Sequence, residues 1–123
     1  MPSSATQEWL DKALEDEQAV EALKARSLWG PASYHIQQSA EKFIKAALVE
    51  AGIAPPLTHD LDDLLGLFPG PVPSVAVQSA GALLTQYAWL TRYPGAPPIA
   101  EYHVIQAEQE LAQIKAWALS VIP

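Results

Sequence analysis

Three short polar stretches carry the residue types that could do chemistry in this chain. The first is Tyr34-His35-Ile36-Gln37-Gln38-Ser39-Ala40-Glu41-Lys42-Phe43-Ile44-Lys45. The second is Thr58-His59-Asp60-Leu61 behind a proline loop, and the third is Arg92-Tyr93-Pro94-Gly95. Polyphosphate is held by fixed cations and hydrogen-bond donors. Lys42, Lys45, His59 and Arg92 are therefore the candidate anion contacts, with Glu41 and Tyr93 beside them as candidate ligand-binding residues. A second chemistry pairs Arg92 with His103, the imidazole serving as acid or base and the guanidinium stabilising phosphorane-like charge. Each stretch also has a plainer reading. Glu41 and Lys45 form an i,i+4 pair of favourable orientation, contributing a few tenths of a kcal/mol on a solvated face. Thr58-His59-Asp60 reads as a helix start, and Arg92 before Pro94 as a helix end whose negative pole it neutralises.

Other chemistries lack their residues. The chain has no cysteine, so it has no disulfide, thiolate zinc site or cysteine nucleophile, and it suits a reducing cytoplasm, the location expected for it. His35, His59 and His103 fall on different elements with no HxxxH or HExxH spacing, so no metal site is expected. The six glycines form no phosphate loop, no Gly-x-Ser-x-Gly elbow occurs, and no cofactor is expected. Fourteen acidic against seven basic residues give a net charge of −7. A chain with so few cations binds nucleic acid only through a local patch or a partner. The acidic first twenty residues do not resemble a secretory signal, and no apolar run is long enough to span a membrane.

Around these motifs, apolar periodicity predicts five helices and no strand. The first runs from about Thr6 to Ser27, its apolar face carrying Trp9, Leu10, Ala13, Leu14, Val20 and Leu23, with Glu15, Asp16 and Glu17 on a solvated face. The second runs from about Pro31 to Ala51, places Ala32, Ile36, Ala40, Phe43, Ala47 and Ala51 on one apolar face, and stops at Gly52. Its polar side gathers His35, Gln38, Glu41, Lys42 and Lys45. A short third helix opens at Thr58, which is expected to cap it, and carries Leu61, Leu64, Leu65 and Phe68. Ser74 caps a fourth through about Leu90, and a fifth spans about Ile99 to Val121. Short breaks between long amphipathic helices imply an all-α antiparallel bundle of four long helices and one short one, occupying residues 1–123 as one domain.

The ordered set "QQSAEKFIKAALVEAGI", "THDLDDLL", a long helix ending in "RYPG", and a final helix resembles the HEPN family over about Trp9 to Trp117. The resemblance implies a helical bundle that dimerises through its long helices. It also implies a small nucleotidyltransferase as partner, in two-component systems related to toxin–antitoxin pairs, and a site for nucleotide or RNA. Some branches are ribonucleases, carrying an Arg and a following His with four to six residues between them. After Arg92 that window holds Pro97, Pro98 and Ile99, and after Arg26 it holds Pro31, Ala32 and Ser33. The expected role is thus a homodimeric, non-catalytic or weakly catalytic nucleotidyltransferase partner. The alternatives are a divergent ribonuclease using Arg92 and His103, and a helical dimerisation scaffold whose polar stretches only cap helices. If the second and fourth helices run parallel, Glu41, Lys45, His59 and Arg92 meet at one end of the bundle. If they run antiparallel, Arg92 falls near Pro31 and His35 and the set divides in two.

Overall fold

Ser3, Asp60 and Ser74 start three helices by the same chemistry, a side-chain oxygen accepting from a backbone N–H of the first turn that has no intrahelical partner. The computed structural model describes residues 2–123. It contains α1 (Ser4–Ala25), α2 (Trp29–Glu50), α3 (Leu61–Gly66), α4 (Val75–Thr85) extended by a 3₁₀ turn (Gln86–Ala88), and α5 (Glu101–Val121). Among the described residues there is no strand. The cap of α3 is Asp60, not Thr58. Thr58 instead accepts from the Asp60 N–H at 3.1 Å, and the carboxylate takes the N–H groups of Asp62 and Asp63. The fourth helix ends earlier than its apolar spacing predicts. The Thr85 hydroxyl donates to the Gly81 carbonyl four residues back at 2.8 Å, competing with the helical ladder, and the chain tightens to 3₁₀.

α1 and α2 each end in the same left-handed turn. Leu28 N–H reaches back to Leu23 and Ser27 N–H to Lys24; Ile53 N–H reaches Leu48 and Gly52 N–H reaches Val49. Gly52 takes the positive φ of 84° without steric cost, whereas Ser27 adopts 57° with a side chain attached.

The tight turn at Arg26–Leu28 folds α2 back along α1. Thr6 meets Glu50, Ala13 meets Ser39 and Asp16 meets Lys42, an antiparallel register. α5 runs antiparallel to α1 as well, through Lys24–Glu108 at 3.0 Å and Lys115–Glu17 at 2.9 Å. α4 runs towards the start of α2: Thr85 accepts from Leu61 N–H, and Thr91 then lies against Gly30. The four long helices therefore alternate in direction, and α3 crosses between α2 and α4. Ile36, Phe43, Ile44, Leu48, Leu61, Leu64, Leu84, Val104 and Ile114 form the fully buried centre. The periodicity misplaces two positions on α1. Leu14, assigned to the apolar face, is exposed, and Asp16, assigned to solvent, is buried.

Candidate functional site

The polar side of α2 is far less solvated than its composition suggests. Glu41 is 4% and Lys45 6% exposed. Lys45 Nζ donates to Glu41 Oε2 at 3.0 Å and lies 5.6 Å from the centre of the Trp9 ring. The other carboxylate oxygen of Glu41 accepts from His59 Nδ1 at 2.8 Å. The fully buried Gln37 completes the arrangement, donating to the His59 carbonyl at 3.0 Å and to Glu41 at 3.4 Å. Carboxylate, ammonium, imidazole and amide thus satisfy one another, and no buried side-chain nitrogen or oxygen among the described residues is left without a partner. The cluster fastens the loop before α3 onto the middle of α2. It corrects the solvated-pair reading of Glu41 and Lys45, because Trp9 and the His59 loop cover a face that helical periodicity alone leaves open.

A second carboxylate repeats the pattern on the neighbouring side of α2. Asp16 of α1, also buried, accepts from His35 Nδ1 at 2.8 Å through one oxygen and from Lys42 Nζ through the other. Lys42 is therefore fixed by Asp16 and stands apart from Glu41, although the two are adjacent in sequence. Asp16 and His35 escape sequence reading because neither lies in a recognisable spacing. They are nineteen residues apart on facing helices, and only the hairpin register brings them together.

Arg92 belongs to neither cluster. Its guanidinium donates to the Tyr34 hydroxyl at 3.0 Å and lies 5.2 Å from the centre of that ring. The antiparallel arrangement of α2 and α4 thus divides the expected set: Glu41, Lys45 and His59 come together, and Arg92 lies at the opening turn of α2 near His35. Tyr93 follows it, 66% exposed. His103 occupies a different place again. Its Nδ1 accepts from the Ala100 N–H at 2.9 Å, capping α5, and its ring lies on Tyr102 with centroids 4.1 Å apart. It lines an open groove with Tyr87, Leu90, Pro97 and Pro98, in which Arg92 has no part.

Five of the seven cations are ion-paired: Lys12, Lys24, Lys42, Lys45 and Lys115. Arg26 and Arg92 have no carboxylate partner among the described residues. Around the clusters, the Glu108 carboxylate beside Lys24 raises that ammonium above its ordinary range. Burial, then the charges of Asp60 and Asp63, push the Asp62 carboxyl up. No group of three His, Asp or Glu side chains among the described residues is placed to hold a metal ion, and no helix among them is long and apolar enough to cross a membrane.

The model of the HEPN domain matches residues 6–119. The chain belongs to the HEPN family. Its fold is shared with two solved structures at low sequence identity. The crystal structure of TT1696 from Thermus thermophilus superposes with a TM-score of 0.90 at 22% identity, covering 98% of this chain and 100% of that one. ST0689, described as an archaeal HEPN homologue, gives a TM-score of 0.82 at 22% identity over 96% of this chain and 98% of the other. No curated protein matches the chain. In this HEPN protein the polar residues of α2 are built into the bundle, and the cations left unpaired among the described residues are the two arginines.

Proposed function

We propose that this HEPN protein forms a homodimer and acts as a non-catalytic partner of a small nucleotidyltransferase, in a two-component system related to toxin–antitoxin pairs, with contact to nucleotide or RNA. The observation that carries the reading is the surface around Arg92. Trp89 is 52% and Tyr93 66% exposed within one five-residue segment. Aromatic residues and arginine are enriched where proteins associate, while lysine and glutamate are depleted. On the first turns of α5, Tyr102 and Ile105 are exposed at 67% and 49%, and Tyr102 lines the same groove as Leu90, three residues after Tyr87. The net charge of −7 speaks against unaided nucleic-acid binding and for a partner.

The test of the partnership is co-purification. A nucleotidyltransferase encoded beside this chain and co-expressed with it should be retained by the tagged protein, and Trp89→Ser with Tyr93→Ser should release it or break the dimer. An adjoining frame that encodes no nucleotidyltransferase, together with no retained partner, contradicts the reading.

A further inference from the structure

A cavity of about 550 Å³ lies between α3, the connector that follows it and the first turns of α4. The connector, Pro69-Gly70-Pro71-Val72-Pro73, is stiff because three prolines fix its backbone. It is laid on Phe68, so closely that a side chain at Gly70 would begin 2.5 Å from that ring. Phe68 in turn meets Trp117 of α5 edge to face, with centroids 5.1 Å apart. The apolar wall is therefore fixed in place: Leu65, Phe68 and Val72 line it, and Val72 stays 82% exposed. The polar wall is all acceptor. The Asp62 side chain has no hydrogen bond or ion pair, and its Oδ1 lies over α4, 3.2 Å from where a side chain at Gly81 would begin. Val75, Gln78, Ser79 and Ala82 share one face of α4 towards the cavity. Gln78 gives its amide nitrogen to the Pro73 carbonyl at 2.8 Å, which leaves Oε1 to accept, and the Ser79 hydroxyl accepts as well. No lysine or arginine lines the cavity.

We propose that this cavity binds a small organic ammonium ion, a primary amine on an apolar body, with the ammonium on Asp62 and the body against Leu65, Phe68 and Val72. Charge decides the class. An anion would meet Asp62 with Asp60 and Asp63 close behind it, and an uncharged ligand would leave the carboxylate without a partner. An ammonium carries three donors and no acceptor, the complement of a carboxylate, an amide oxygen and a hydroxyl. Burial and then the two neighbouring carboxylates push the Asp62 carboxyl up, and a cation placed beside it opposes both effects. The apolar wall decides the rest, since a bare ammonium leaves Phe68 and Val72 in water. The volume is that of an ordinary small-molecule site.

The cavity opens at the start of α4, whereas Trp89, Arg92 and Tyr93 follow its other end, so this site is independent of the association surface and of any partner protein. The test titrates the full chain with phenethylamine and hexylamine, and with 2-phenylethanol and 1-hexanol as their uncharged counterparts, following backbone amides by ¹H–¹⁵N correlation. Both amines should shift the amides of Leu65, Gly66, Gln78 and Ser79 saturably, with dissociation constants of about 1 mM, as suits molecules of so few atoms. Each alcohol should bind about tenfold more weakly or worse, the loss of one charge-assisted contact. Asp62→Asn should abolish that preference, and Asp63→Asn, whose side chain does not line the cavity, should keep it. Ser79→Phe on the exposed face of α4 should block both amines. Asp62 and Ser79 are exposed and hold no other element, so these variants stay folded and the comparison remains decisive. Alcohols that bind as tightly as the amines, a preference that survives Asp62→Asn, or no saturable shift with either amine would each overturn the proposal.

Discussion

Glu41→Gln isolates the charge at the centre of the fold with little change of shape. The carboxamide can still accept one hydrogen bond, from Lys45 or from His59. What it cannot do is neutralise an ammonium that is 6% exposed and has Glu41 as its carboxylate partner. Removing one member of a buried pair costs about 3–5 kcal/mol, because the remaining charge stays desolvated. The retained hydrogen bond and the nearby Trp9 ring place this variant near the lower end, about 3 kcal/mol. Against a typical total stability of about 5–15 kcal/mol that is a large loss. With an m-value of about 1.5 kcal/mol/M, it moves the urea midpoint down by about 2 M. Lys45→Met in the same chain removes the stranded cation, so the double variant should recover to within about 1 kcal/mol of the parent. Equilibrium urea unfolding followed by circular dichroism reads all four members of the cycle. A loss below about 0.5 kcal/mol for Glu41→Gln is what an exposed i,i+4 pair gives. That result, or a double variant no better than Glu41→Gln alone, would refute the buried-cluster argument.

Three further outcomes are expected. Ser27→Gly relieves a left-handed residue at the end of α1 and should raise stability by about 0.5–1 kcal/mol in thermal unfolding, whereas Gly52→Ala at the equivalent turn of α2 should lower it by a similar amount. The Glu50 carboxyl is held below its usual range, first by the Thr6 hydroxyl and then by the Ser3 N–H. Its stabilising contribution is therefore complete above the ordinary value of 4.5 and lost as pH falls through the lowered one. The stability gap between the parent and Thr6→Val should accordingly be widest above that value and shrink in acid titrations followed by circular dichroism. The isolated chain should leave RNA intact in a gel assay, since His103 serves as a cap of α5 and Arg92 is engaged by Tyr34. Cleavage abolished by Arg92→Ala or His103→Ala would reverse that expectation.

The bundle is legible in the sequence because its information is periodic and local. The inner stripe of α5 is buried from Val104 to Ala118 and half-buried at Val121, Gly52 closes α2, and Ser74 caps α4. The polar chemistry is legible only where it is local. Glu41 and Lys45 are one turn apart and read as a pair, but their burial depends on Trp9 and the His59 loop, which come from elsewhere in the chain. Asp16 sits in an acidic run indistinguishable from a solvated face, since nothing in its neighbours encodes the α1–α2 register that places His35 and Lys42 upon it. Whether His59 and Arg92 share a site turns on helix direction. The loop lengths around α3 permit either sense, and the contact between Thr91 and Gly30 shows which one the fold adopts.

The proposed role stands on association through the aromatic surface beside Arg92. Sedimentation equilibrium of the purified chain at micromolar concentration measures that association without any partner or ligand. A species of twice 13.3 kDa is expected, reverting towards 13.3 kDa when Trp89 and Tyr93 are both replaced by serine. A clean 13.3 kDa species for the unaltered chain would contradict it.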